Sequence, residues 1–246
     1  LSAELFPDDE TLIESICLAH DIGHPPFGHG GEVALNFMMR EHGGFEGNGQ
    51  TFRIVSRLEP FSEFYGMNLS RRTLLGLIKY PQTLANLTQL PLPEAPQTFR
   101  QLKAGDWPPA KGLYSDDAKM FDWVLSPLSC ADRELFQSIK NINSRHNKTL
   151  FKSLDCSLME LADDIAYGIH DLEDAIVTGI VSQQDFDNEV ITKLKKIDEP
   201  WIKEYCETLS AKLFNDQHYI QKEAIGGLVN FLITEIYLSD LNESKV

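Results

Sequence analysis

Three of the seven histidines of this 246-residue chain fall within ten positions, in the run from His20 through Asp21, Gly23, His24, Pro25, Pro26, Phe27 and His29 to Glu32. An adjacent His and Asp offers a nitrogen and an oxygen donor, and the proline-glycine turn behind it can swing further imidazoles toward the same point. Such a mixed shell is the chemistry of a divalent-metal site. Neighbours on an ideal helix point ~100° apart. His20 and Asp21 therefore converge on one ion only at a helix end, where Gly23 releases the backbone. An isolated His-Asp pair is more often a capping His beside a solvated Asp, but three histidines with Glu32 weigh against that reading. A further carboxylate must come from elsewhere. Asp163, Tyr167 and Asp171, at i, i+4 and i+8, line one side of a helix whose apolar side carries Leu158, Leu161, Ile165 and Leu172. Acidic helix faces are usually just solvated; the Tyr in this row favours a site.

The elements that must position these groups read as helices. Apolar Leu12, Ile13, Ile16 and Cys17 recur at helical spacing from a candidate Asp9 cap to Ala19, so that His20 and Asp21 sit at a helix end. Further helical patterns are predicted at 32–41, 117–125, 157–176, 187–194 and 217–237, and strand alternation is weak throughout. Half of the sixteen glycines lie between Gly23 and Gly49, a density that suggests backbone packed closely against something. Five of the twelve prolines lie in 86–114, which reads as a long loop of the kind that often serves as a lid. With no internal repeat and no domain break, the expectation is a single all-helical domain. Its first residues, Leu1, Ser2 and Ala3, lack an initiator Met and suggest a piece of a longer chain.

Composition narrows the function classes. At 42% hydrophobic and 24% charged residues, a sizeable core is available. The apolar stretches are all interrupted well short of a membrane span, which excludes a transmembrane reading. A net charge of −15 repels nucleic acid in general and leaves room for single-stranded DNA only at local cationic sites. Four scattered cysteines, Cys17, Cys130, Cys156 and Cys206, fit a reducing, cytoplasmic setting. There is no GxxxxGK[ST] loop, HExxH helix, GxSxG elbow or GxGxxG after a strand, so kinase, zincin, serine-hydrolase and dinucleotide readings fall away.

Taken together, the runs His20 to Glu32, Phe45 to Gln50 and Ala162 to Tyr167 resemble the bacterial deoxyguanosine triphosphate triphosphohydrolase family, a branch of the HD-domain metal phosphohydrolases. Lys79-Tyr80-Pro81 and Lys111-Gly112 fit the same pattern. The resemblance implies an HD-domain helical bundle, a homo-oligomeric assembly, and hydrolysis of a deoxynucleoside triphosphate, dGTP favoured, to deoxynucleoside and inorganic triphosphate. It implies His20, Asp21 and Asp163 as metal ligands together with an upstream His; every histidine here lies at or after His20. His29 and Glu32 resemble the family's catalytic pair. His24, Arg53, Lys79, Tyr80 and Lys111 would meet the triphosphate, Tyr167 the sugar or base, and Asp171 the 3′-hydroxyl. The donor set suits Mn, Fe, Co or Zn, and Mg at cellular abundance. Two rivals stand beside this reading: an HD phosphohydrolase acting as nucleotidase or phosphodiesterase, and a non-catalytic module that senses nucleotides.

Overall fold

The computed structural model describes residues 10–143 and 146–238 and is all-α, with a single two-residue strand pair among those residues. The Asp9 cap lies outside the described residues. The chain divides into two compact units at the boundary between Glu160 and Leu161. No helix among the described residues is long and apolar enough to cross a membrane.

The first unit is built on α1 (Glu10–Ala19), α2 (Gly28–Met38), α3 (Gly47–Arg53), α4 (Arg71–Leu77), α5 (Leu84–Leu87), α6 (Ala118–Leu125), α7 (Cys130–Phe136) and the start of α8 (Leu154–Val177). Ile16 of α1 is fully buried and meets Gly76 of α4 so closely that a Cβ there would come within 2.3 Å of its Cδ1. Only glycine lets these helices touch at that point. Around this contact Phe52, Val55, Leu74, Leu77, Ile78, Phe121, Val124, Leu125, Cys156 and Met159 form the core. Burying side chains of this size stabilises by about 1.5–3 kcal/mol each before entropy is subtracted. Ser70 caps α4 through the Thr73 N–H, and Arg72 grips Asp155 at the start of α8 with two bonds of 2.7 and 2.9 Å. That fork holds α8 against α4.

The proline-rich stretch leaves and re-enters this unit through a narrow neck. Leu84 N–H donates to the Leu113 carbonyl and Leu113 N–H to that of Gln82. Between them run α5 and short 3-10 turns, the only regular structure the stretch carries among the described residues. Trp107 seats edge-on against Phe37 of α2, and His146 takes Gln89 N–H on one ring nitrogen and bonds the Pro108 carbonyl with the other. β1 (Ile139–Lys140) and β2 (Lys148–Thr149) pair antiparallel nearby.

The second unit contains the remainder of α8, α9 (Gln183–Phe186), α10 (Thr192–Leu194), α11 (Pro200–Leu213) and α12 (His218–Thr234). Phe186, Ile191, Ile202, Cys206, Leu209, Leu213 and Ala224 form its core, with Leu172 and Ile176 of α8 packed against them. Trp201 stacks on Phe231 with ring centroids 4.5 Å apart, joining α11 to α12. Pro200 at the first helical position and Glu199 accepting the Ile202 N–H start α11.

The predicted helix at 32–41 begins instead at Gly28 and ends at Met38, with a 3-10 turn at Arg40–His42. Gly28, Gly30 and Gly31 are thus its first turn. The stretch 187–194 holds a π-turn, Asp187–Ile191, between α9 and α10 rather than one regular helix.

Candidate active site

Asp21 is the hub of the histidine cluster. Just past the end of α1, its Oδ1 lies 3.3 Å from His20 Nε2 and 3.1 Å from His24 Nδ1. His20 Nδ1 sits 2.6 Å from the Cys17 carbonyl, an oxygen that can only accept, so Nδ1 is the donor there and Nε2 faces Asp21. An imidazole nitrogen and a carboxylate oxygen side by side are a donor pair of the kind that divalent cations take. The orienting backbone bond behind the ring is the support that metal-binding histidines ordinarily have. On these grounds the donors fit a divalent metal. Among the described residues no group of three or more His, Cys, Asp or Glu side chains is placed so as to hold a metal ion.

The turn is held in place by α3. A Cβ on Gly23 would strike Thr51 N at 2.1 Å, and one on Gly47 would meet the His24 ring at 3.0 Å. Gly23 N–H donates to the Thr51 hydroxyl, which lies 2.9 Å from the His20 carbonyl and 3.1 Å from that of Gly47. The glycine density predicted close packing, and at Gly23 it is backbone against backbone, while Gly47 lies against the His24 ring.

His29 and Glu32 share the first turn of α2. The imidazole is 86% exposed and the carboxylate 2% exposed, with Nδ1 3.5 Å from Oε2. Glu32 Oε1 accepts the Gly47 N–H at 2.9 Å, and the Lys111 ammonium lies 2.8 and 2.6 Å from its two oxygens. Burial pushes the Glu32 carboxyl up, but the hydrogen bond and charge of Lys111 and the Gly47 N–H outweigh it, leaving it below its ordinary value. A charged, immobile carboxylate beneath an exposed imidazole can orient it and stabilise its protonated form.

The three candidate phosphate-binding cations are each engaged by carboxylates. Arg53 Nε donates to the buried Asp117 at 2.8 Å, with the guanidinium over the Tyr114 ring. Lys79 lies 3.4 Å from Glu160, which also pairs with Lys152. Lys111 bridges Glu32 and Glu46, the latter at 3.5 Å. Tyr80 is half-buried beside Lys79. An open cleft of about 1430 Å³ is bordered by Arg53 and Lys111 but by none of His20, Asp21, His24 or His29.

Asp163, Tyr167 and Asp171 lie on α8 within the second unit. Asp163 is half-buried there, while Tyr167 and Asp171 are exposed. Among the described residues, those that sequence reasoning passed over are Glu46, Thr51, Tyr114 and Asp117, all buried. Glu46 had a visible signal: an acid directly before a helix start, three positions ahead of Gly49, whose N–H it accepts at 2.7 Å. Tyr114 and Asp117 had none, because their partners are more than sixty positions away.

Residues 1–98 match the HD domain family, in keeping with a His-Asp pair just past a helix end in an all-α unit and a second histidine packed against glycine. The chain as a whole is a relative of the deoxyguanosinetriphosphate triphosphohydrolase-like proteins, in agreement with the resemblance its motifs carry. It is 58% identical to such a protein from Shewanella pealeana over 96% of this chain and 53% of the relative. Against one from Vibrio parahaemolyticus it is 55% identical over 98% of this chain and 55% of the relative. Against the deoxyguanosinetriphosphate triphosphohydrolase-like protein 1 of Vibrio cholerae the figures are 58%, 95% and 53%. The chain therefore spans about half the length of the curated relatives it matches.

Proposed function

We propose that this chain carries the catalytic centre of a phosphohydrolase that cleaves a deoxynucleoside triphosphate, dGTP favoured, into deoxynucleoside and inorganic triphosphate. The observation that carries the reading is the exposed His29 held over the buried, charged Glu32 in the same unit as the His20-Asp21-His24 cluster. In the reaction His29 delivers a proton to the departing 5′ oxygen, and Glu32 steadies the imidazolium form that precedes the transfer. His20, Asp21 and Asp163 would hold the divalent metal, which supplies Lewis acidity toward the α-phosphate when bound. His24, Arg53, Lys79, Tyr80 and Lys111 are proposed to receive the triphosphate, Tyr167 the sugar or base, and Asp171 the 3′-hydroxyl. The names of the relatives and the match to the HD domain support this choice over other hydrolases.

The test is product analysis with full-length protein, added Mn and each dNTP, run beside His29→Gln. Intact inorganic triphosphate from dGTP, lost in the variant, is the expected result. Release of only pyrophosphate or single phosphate from every dNTP would overturn the reading. Turnover confined to a nucleoside monophosphate or a cyclic dinucleotide would move it to the nucleotidase or phosphodiesterase branch.

A further inference from the structure

Glu46 is a fully buried carboxylate that has no part in the chemistry proposed above. Its side chain caps α3, accepting the Gly49 N–H at 2.7 Å on Oε2 and the Asn48 amide at 2.7 Å on Oε1. The same Oε1 lies 3.5 Å from the Lys111 ammonium, whose nearer partners are the two oxygens of Glu32. Its backbone N–H donates to the Tyr114 hydroxyl at 3.0 Å, and that hydroxyl lies 3.3 Å from the Glu46 carbonyl. The next residue, Gly47, donates its N–H to Glu32. Every donor that fixes Glu32 from beneath is therefore itself fixed by Glu46: one sits beside it in the chain and the other in contact with its side chain.

We infer that Glu46 is a positioning residue that locks Lys111 and the first N–H of α3 onto Glu32, and so holds the Lys111 ammonium back from an incoming polyphosphate. This rests on the His29 and Glu32 reading above. Two carboxylates share one ammonium, so wherever Glu46 is ionised as well as Glu32 the cluster carries an excess negative charge beneath His29. The charged and titratable groups around Glu46 are Glu32 of α2 with His29 beyond it, and Lys111 and Tyr114 from the returning end of the loop, with Arg53 and Asp117 beyond Tyr114. Burial pushes the Glu46 carboxyl above its ordinary value against the pull of Lys111, and pushes the Tyr114 phenol up to about 12.

Removing that charge has two consequences of definite sign. Where Glu46 is ionised, its loss removes negative charge beneath His29, so one limb of the kcat/KM profile moves to lower pH. Lys111, with one carboxylate fewer, becomes more available to anions, so inorganic triphosphate binds tighter by roughly two- to fivefold.

The experiment compares wild type, Glu46→Gln and Glu46→Asp in the full-length protein. It measures pH profiles of dGTP hydrolysis, calorimetric binding of inorganic triphosphate, and thermal unfolding. Glu46→Gln should shift the limb downward and tighten triphosphate, while Glu46→Asp, which keeps the charge, should leave the limb near wild type. If Glu46→Gln lowers only the melting temperature, Glu46 is a helix cap and nothing more, and the inference is overturned. Should the wild type release no triphosphate from dGTP, the functional reading fails separately, and the binding arm still decides the role of Glu46: tightening supports it and unchanged affinity overturns it.

Discussion

Glu32 and Glu46 share one lysine, and the sharing is unequal. Lys111 gives its two short contacts to Glu32 and its long one to Glu46, which is why burial is outweighed at the first carboxylate and not at the second. The two acids should therefore give stability opposite dependences on pH. Glu32, lowered in the folded protein, contributes stability that is present above its unfolded pKa near about 4.3 and is lost as pH falls through the folded value. Glu46, raised on folding, contributes below its unfolded pKa and loses that contribution as pH rises through its folded value. The melting-temperature advantage of wild type over Glu32→Gln should thus widen from about pH 4 to pH 6. Glu46→Gln should gain on wild type as pH rises across the same window and beyond. Thermal unfolding across that range checks both, and parallel curves for either variant would contradict the direction given for its residue. Because the pair interacts strongly, the midpoints belong to the cluster rather than to one residue.

Among the elements, α8 was the easiest to read and α3 the hardest. The apolar row Leu158, Leu161, Ile165 and Leu172 predicts a helix at 157–176, and the helix observed is Leu154–Val177. Helix α3 begins Gly-Asn-Gly, a sequence with no helical propensity to speak of. It forms because Glu46, three positions from Gly49, caps it and because its backbone packs on the turn holding His24, where Gly23 and Thr51 meet 28 positions apart. Helix α11 was missed although its signals were present: Glu199-Pro200 at the start, then Ile202, Cys206, Leu209 and Leu213 at helical spacing. The His-Asp run itself was legible because its chemistry is local, whereas the pairing of Lys111 with Glu32 and of Arg53 with Asp117 spans 79 and 64 positions and leaves no pattern in the sequence. Helix α8 also carries a prediction. Asp163 and Asp164 point ~100° apart on one helix, so only one can serve the proposed metal. Asp163 is half-buried and in line with Tyr167 and Asp171, while Asp164 is exposed. In full-length protein Asp163→Asn should lose both bound metal and triphosphate release, whereas Asp164→Asn should keep its metal and lose no more than about tenfold in rate. Metal analysis beside product assay decides it, and the reverse pattern would overturn both the assignment and the shared-face argument.

At the scale of the whole molecule, a charge of −15 coexists with a proposed polyanionic substrate. The cations proposed to receive it are each held by carboxylates, so the long-range field of the protein stays repulsive while positive charge is stored at fixed points. Non-specific duplex DNA should accordingly show no retarded band with this chain even at about 50 mM salt, where a basic surface would bind it. A clear shift under those conditions would mean that a cationic face is exposed after all. The neck of the proline-rich loop bears on a different property, the capacity of the molecule to change. Leu84 and Leu113 close that loop by backbone hydrogen bonds at its base, and Trp107, Pro108 and Gln89 are tied down just inside it. What lies between, about residues 90–106, can gain or lose length at little entropic cost, because the closure is made elsewhere and doubling a loop costs only ~0.6 kcal/mol. Lys111 would stay where Glu32 and Glu46 need it throughout. The segment is thus a place where a lineage can experiment with insertions while its chemistry is inherited intact.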